Sequence, residues 1–254
     1  MIDLLLGTAT SAAILALIFA PLERAFPARP EQPALRPELR TDAAFFLGQY
    51  LVFAAVAVAA LTSVDQAIGG VVPVSVRTWS SEQPLWALVV ASLALGDLLT
   101  YWFHRACHRY DALWRFHAVH HSAERLDWLA AHREHPLDGI ATQLCVNLPG
   151  IALGLPFAAL GWLAVLRGLW AIFIHSNVRL PLGPLGVLLG APELHHWHHV
   201  RAERTRHNFA NLAPYLDLLF GTYHRPEGPE TYPLGLTQPW PRRYLAQLVR
   251  PFRR

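Results

Sequence analysis

The chain has 254 residues, 53% hydrophobic and 15% charged, with a formal net charge of +3. A mean hydropathy of +0.26 is too apolar for an ordinary soluble domain. The 21 basic residues, all arginine, are spread without any stripe that would suit a nucleic acid. Cys107 and Cys145 make no disulfide framework, and Cys107 reads as a packing residue.

Ile2 to about Ala20 is an apolar run of the length that crosses a bilayer. Asp3 is its only early charge, so it is expected to be an uncleaved anchor and not a signal peptide. Pro21 opens a Pro/Arg/Glu-rich loop that runs to Asp42. A second span is expected from about Ala43 to Leu61, then a loop from Thr62 to Gln83. A third runs from about Pro84 to Phe103, with Trp86, Tyr101 and Trp102 near its ends as in an aromatic belt. From His104 to Asp138 the chain turns rich in His, Arg, Glu and Trp. From Gly139 to Ile174 it is apolar again, but Pro149, Gly150, Gly154, Pro156 and Gly161 interrupt it, which predicts a transmembrane or re-entrant helical hairpin. The rest is polar and ends in an arginine-rich tail, either a short interfacial helix or a frayed terminus.

Arg24, Arg29, Arg36 and Arg40 crowd the first loop, whereas the second holds only Arg77. The positive-inside rule then puts the first loop, the histidine region and the tail in the cytoplasm. The expected fold is an all-α integral membrane protein, with three transmembrane helices plus the hairpin. A cytoplasmic histidine-rich helical cap would hold a metal centre.

Thirteen of the fourteen histidines lie between His104 and His207. His104 and His108 are one helical turn apart on one face. His117, His120 and His121 repeat that spacing, as do His195, His198 and His199, with His135 and His175 between the blocks. Packing gives no reason to gather so many titratable rings. Protonated, they repel; neutral and buried, each needs a partner, and a metal supplies one. Imidazole suits iron, zinc, copper or nickel. About eight to ten histidines exceed one tetrahedral ion and match two ions with four or five each. Glu193 and His196 alone have the Glu-x-x-His spacing of carboxylate di-iron proteins.

These motifs resemble the fatty acid hydroxylase/sterol desaturase superfamily, whose HxxxH, HxxHH and later HxxHH stand here as HRACH (104–108), HAVHH (117–121) and HHWHH (195–199). WRFHAVHHSAERLDWL, EHP, HSNVRLP and RHNFANLAPYLDLLFGTYHRP surround them, and the resemblance covers roughly residues 90–225. It divides the chain into spans and loops (1–83), a catalytic region (84–225) and a basic tail (226–254) within one structural domain. It implies a non-haem di-iron centre, two Fe ions cycling between Fe2+ and Fe3+ with O2 as co-substrate. The implied ligands are His104, His108, His117, His120, His121, His135, His175, His195, His198 and His199, with no separate catalytic side chain. His196 holds a variable position and is expected not to be a ligand; the pattern does not fix His132 or His207, and His224 is a surface residue. Glu124, Asp127, Glu134, Asp138 and Asp217 could hold the other ring N–H of the ligands, or simply pair with nearby arginines.

The implied reaction is O2-dependent oxidation of a lipid C–H bond, hydroxylation first. Lipid or sterol desaturation and ether-lipid monooxygenation are alternatives on the same site. With no Gly-rich dinucleotide fingerprint or haem-domain sequence, a separate electron donor is expected: a ferredoxin, cytochrome or reductase. Trp162, Trp170 and the Leu-rich 180–190 segment could line the lipid path or face bulk lipid. Metal transport or storage would need a polar path across the spans, which offer only Gln49, Asp97 and Arg167; a zinc hydrolase is a further rival. The expected partners are the lipid substrate and the membrane, the inner or plasma membrane if the source is bacterial.

Overall fold

Apolar runs that must satisfy their own backbone groups fold as helices. The computed structural model describes residues 1–68, 70–180 and 182–253; expectations touching residues 69, 181 and 254 lie outside them. Among the described residues there are helices, turns and two isolated bridges, Pro27 to Val178 and Val200 to Leu234.

Helix α1 (Ile2–Ala25) runs past its expected end, straight through Pro21. A proline there removes one N–H bond, and the last turn is still closed by Phe26 N–H on the Leu22 carbonyl. The second rod extends from Leu39 to Ile68. It comprises α2 (Leu39–Gly48), a π turn at Gln49–Phe53 and α3 (Ala54–Ile68). Thirty residues reach about 45 Å, more than the apolar layer of a bilayer, so part of the rod stands outside that layer. Asp42, buried in its first turn against Arg36 and Arg133, marks that end. The expected loop of residues 62–83 is partly helical: α3 continues into it and α4 (Val74–Ser81) follows.

Helix α5 (Leu85–Arg109) outruns the expected third span, so that His104 and His108 stand in its last two turns. After extended Tyr110, α6 (Asp111–His121) begins with Asp111 in its first turn, where the helix dipole favours an acid. The apolar hairpin is two helices, α7 (Pro136–Ala152) and α8 (Phe157–His175). Gly154, at φ 74, makes the turn between them. Helix α7 packs along α5 and against α3. A Cβ on Gly96 would lie 2.6 Å from the Val146 carbonyl oxygen, and one on Gly150 would lie 2.7 Å from Ser92 Oγ. These two glycines set the close approach of α5 and α7. Among the described residues four helices are long and apolar enough to cross a membrane: α1, the Leu39–Ile68 rod, α5 and α8.

The polar end is built from α6, α9 (Leu185–Leu189), α10 (Pro192–His198), α11 (Tyr215–Leu219) and α12 (Tyr244–Val249). The first loop packs into it. Arg29 N–H donates to Asn177 Oδ1 at 2.9 Å, and Arg36 donates twice to Asp127, at 2.5 and 2.6 Å. The tail is docked as well. Tyr244 meets the edge of Phe45 at 4.8 Å, and buried Gln247 accepts from Ser122 Oγ at 3.1 Å.

Candidate metal centre

Nine of the ten expected ligands come together in two groups. His104 and His108 from α5, His117 and His121 from α6, and His198 from α10 form one; His120, His175, His195 and His199 form the other. Within each group one nitrogen of every ring lies within 4.8 Å of the others. The two HxxHH motifs are divided in a reciprocal way. His117 and His121 join the five-histidine group and His120 crosses to the other. His195 and His199 join the four-histidine group and His198 crosses back. Positions i+3 and i+4 stand about 100° apart around a helix, so adjacent histidines part to opposite sides of the i position. Where the groups adjoin, the His121 and His199 rings stack at 4.4 Å.

The ring nitrogens test whether these residues fit metal ions. His104 Nδ1 donates to the Phe209 carbonyl (2.7 Å), His198 Nδ1 to the His207 carbonyl (2.8 Å) and His117 Nδ1 to Asp138 Oδ2 (2.8 Å). His120 Nδ1 donates to the Arg133 carbonyl (3.0 Å) and His175 Nδ1 to the Ala171 carbonyl (2.6 Å). These oxygens only accept, so the proton sits on Nδ1 and Nε2 keeps its lone pair. In the five-histidine group all five Nε2 atoms are buried without a hydrogen-bond partner, and His108 lacks one at both nitrogens. In the four-histidine group His120 Nε2 faces His175 Nε2 at 3.0 Å, His175 faces His195 at 2.9 Å, and His195 faces His199 at 3.1 Å. The first of these contacts sets two lone pairs against each other, which only a cation resolves. Two nitrogens at right angles on one ion, each about 2.1 Å from it, would stand about 3.0 Å apart. The residues fit metal ions in both groups.

Electrostatics favour the same reading. Burial, then neighbouring imidazoles, hold His121, His195, His198 and His199 well below the usual histidine value. Burial and His117 bring His120 down to about 4. At neutral pH these rings are uncharged and their lone pairs are available to a metal. The carbonyl that fixes His120 is itself anchored, because Arg133 donates to Asp42 at 2.6 Å and Asp42 pairs with Arg36 at 2.5 Å.

His135 stands outside both groups. Its Nδ1 accepts from Leu137 N–H at the start of α7, and its Nε2 meets the Leu248 carbonyl at 3.2 Å. Phe116 and Phe252 flank its ring. His132 is buried against Phe46 and Tyr50, also apart. His196 turns both nitrogens to acceptors, Glu230 Oε2 at 2.7 Å and the Ser176 carbonyl at 3.0 Å. His207 contributes its carbonyl and packs its ring near His224. Of the five carboxylates, Asp138 alone bonds a grouped histidine. Asp217 acts one step away, accepting from Phe209 N–H and Ala210 N–H and so fixing the carbonyl that holds His104. Asp127 and Glu124 pair with Arg36 and Arg201. The sequence reading missed Trp114, whose ring lies 5.0 Å from His108 and 5.4 Å from His121; its i, i+3, i+7 relation to His117 and His121 was the available signal.

A cavity of about 930 Å³ adjoins the groups. His104 and His117 border it from one group, His120, His175 and His195 from the other. Its walls come from α1 (Ile14, Ile18), the π turn (Gln49, Tyr50, Phe53), α7 (Ile140) and α8 (Leu160, Leu169). Glu134 also lines it, and burial together with Asp138 pushes that carboxyl up to about 8. Trp162 is 72% exposed on the outer surface, and neither it nor Trp170 borders the cavity. Asp97 and Arg167 pair with each other at 2.5 Å between α5 and α8.

Fold and site define a helical protein with helices of membrane-spanning length and two adjoining polyhistidine groups that border an apolar cavity and fit metal ions. Residues 89–222, more than half of the chain, match the family model for fatty acid hydroxylase, and the chain belongs to that family. It is 34% identical over 178 residues to ornithine lipid hydroxylase OlsE of Rhizobium tropici, covering 69% of this chain and 54% of that protein. It is 30% identical over 168 residues to alkylglycerol monooxygenase of Danio rerio, covering 64% and 36%. With methylsterol monooxygenase 1-1 of Arabidopsis thaliana it shares 31% over 137 residues, covering 53% and 46%. The chain thus aligns with about half or less of the length of these relatives. No solved structure matches it at a significant level.

Proposed function

We propose that this chain binds one iron ion in each histidine group and uses O2 to oxidise a lipid C–H bond, with hydroxylation as the outcome. The carrying observation is the cavity: about 930 Å³ of largely apolar space, between helices long enough to span a membrane, bordered by histidines of both groups. That volume lies at the upper end for ligand sites and suits a lipid tail. When bound, an iron pair supplies O2 activation and removal of hydrogen from an unactivated C–H bond.

The protein's own contribution is positional. Asp138 and the carbonyls of Phe209, Arg133, Ala171 and His207 keep protons on Nδ1 and lone pairs on Nε2. Protonated Glu134 leaves the cavity wall uncharged at neutral pH. The walls hold the chain so that one carbon lies beside His104, His117, His120, His175 and His195. The lipid names of the relatives, ornithine lipid, alkylglycerol and methylsterol, support a lipid substrate here. The arginine-rich first loop packs onto the histidine end, which supports a cytoplasmic metal site in an integral membrane protein. Electrons come from a separate carrier.

The test is metal analysis of the purified protein together with lipidomics of one host with and without it under 18O2. Two irons per chain and a lipid carrying one 18O are expected. One zinc per chain, or a lipid profile that does not change, overturns the reading.

A further inference from the structure

Trp114 is a half-buried indole on the outer side of the five-histidine group. Its ring centroid lies 5.0 Å from His108, 5.4 Å from His121 and 6.3 Å from His117. The Arg204 guanidinium lies over the ring, 5.4 Å from its centroid. Arg204 pairs with Asp111, an exposed acid in the first turn of α6. Arg204, then Arg115 and Arg109, hold the Asp111 carboxyl below the usual range, so three arginines converge on this spot. The loop bearing Arg204 and exposed Arg206 continues to His207, whose carbonyl accepts a hydrogen bond from His198 Nδ1–H. Asp111 is the acid at this spot, against Arg109, Arg115 and Arg204, whereas Arg201 pairs with Glu124.

We infer that this face is the docking surface of an acidic one-electron carrier protein, with Trp114 as the bridge to the five-histidine group. The arginine ring supplies charge complementarity, and redox encounters are small, weak and steered by charge. A membrane headgroup fits less well. The exposed Trp102 marks the aromatic level on α5, and Arg109 stands seven residues further on, about 10 Å along the helix. Each docking oxidises the carrier by one electron and reduces one Fe3+ to Fe2+. Two dockings, with two protons from solvent, turn RH and O2 into ROH and H2O. The inference rests on the oxygenase reading, which requires an outside reductant.

The test uses the full iron-loaded chain in nanodiscs of neutral phosphatidylcholine, with a plant-type [2Fe–2S] ferredoxin as probe. Anisotropy reads binding, and the anaerobic stopped-flow return of visible absorbance, as pre-reduced ferredoxin is oxidised, reads electron transfer. The double variant Arg109→Glu/Arg115→Glu should weaken ferredoxin binding about tenfold at low salt, the difference closing as salt screens it. It should keep wild-type turnover when dithionite replaces the carrier. Trp114→Leu should keep iron content and ferredoxin affinity but slow re-oxidation of the ferredoxin about tenfold, with Trp114→Phe recovering part of the rate. Unchanged binding by the double variant, wild-type ferredoxin re-oxidation by Trp114→Leu, or no ferredoxin binding by the wild type overturns the inference. So does a charge effect seen only in phosphatidylglycerol nanodiscs, which would assign the arginines to lipid headgroups. Dithionite-driven product formation in the same preparation separates this failure from failure of the oxygenase reading.

Discussion

The two histidine groups draw on the same helical motifs yet present their nitrogens differently. In the five-histidine group every Nε2 is buried and unpartnered, and Trp114 and Phe209 wall it in. In the four-histidine group the Nε2 atoms face one another at 2.9–3.1 Å. Three of its four members border the cavity, against two of five in the other. The better-enclosed group has more histidines, and the group nearer the cavity has fewer. Metal sites that react with outside molecules keep a position free of protein ligands. We therefore read the four-histidine group as the side where O2 and substrate approach, and the five-histidine group as the enclosed side.

The largest effect should come from the two histidines that cross between motifs. His120→Ala and His198→Ala each remove one ligand from a different group. Elemental analysis should find about one metal per chain in place of two, and lipid oxidation at background. Two retained metals in either variant would break the pairing of motif to group. Next in size is Asp138→Asn, which weakens the hold on His117 Nδ1 and should cost about 10- to 100-fold in metal affinity or activity. Glu230→Gln disturbs His196 and the ion pair with Arg29, neither of them in a histidine group, and should lower the melting temperature while leaving metal content intact. Equal metal loss in both would mean that His196 belongs to the site.

Much of this centre was legible in the sequence, because imidazoles at i, i+3 and i+4 have a single economical use when three such blocks occur together. The expectation of four or five histidines per ion agrees with the sizes of the two groups. The crossing of His120 and His198 follows from helix geometry, but not which group each joins, since that depends on how α6 and α10 face each other. His135 shows another limit. Followed by Pro136, it occupies a helix N-cap, and local backbone chemistry takes the nitrogen that the family pattern assigns to metal. The carbonyls that fix the tautomers carry no sequence signal, because every residue has one. The membrane reading had its limits at helix ends: Pro21 and the stretch after Leu61 look like breaks, yet α1 and α3 run through them.

The cavity can be altered without touching either group. A Cβ on Gly168 or Gly161 of α8 would meet no heavy atom within 4 Å, and both residues border the cavity. Gly168→Leu should therefore shorten the space without a clash. Metal content should stay at the wild-type level while KM for a long-chain substrate rises about tenfold, a loss of about 1.4 kcal/mol of binding. Shorter chains should be affected less. If chain-length preference does not move, the cavity is not where the tail lies, and the contrast between an open and an enclosed group loses its basis.

A last effect concerns acid, and His132 isolates it. This ring is buried outside both groups, and burial brings it down to about 4. The unfolded chain binds its proton near the ordinary value of about 6.5, so the unfolded state takes up protons first as pH falls. The stability tied to a neutral His132 is complete above that value, drains away between it and about 4, and changes no further below. One such group changes stability by at most about 1.4 kcal/mol per pH unit, about 3 kcal/mol across the window. In the metal-free chain His120, also near 4, adds to the same slope. Iron should remove the His120 share by committing its lone pair, and leave the His132 share in place. Melting temperature from pH 7 to 4 should therefore fall most steeply in the metal-free wild type, and less steeply in metal-free His132→Phe. Iron-loaded His132→Phe should be flattest until acid strips the metal. If loading iron leaves the slope unchanged, protons and metal are not competing for the same nitrogens, and the ligand groups would have to be redrawn.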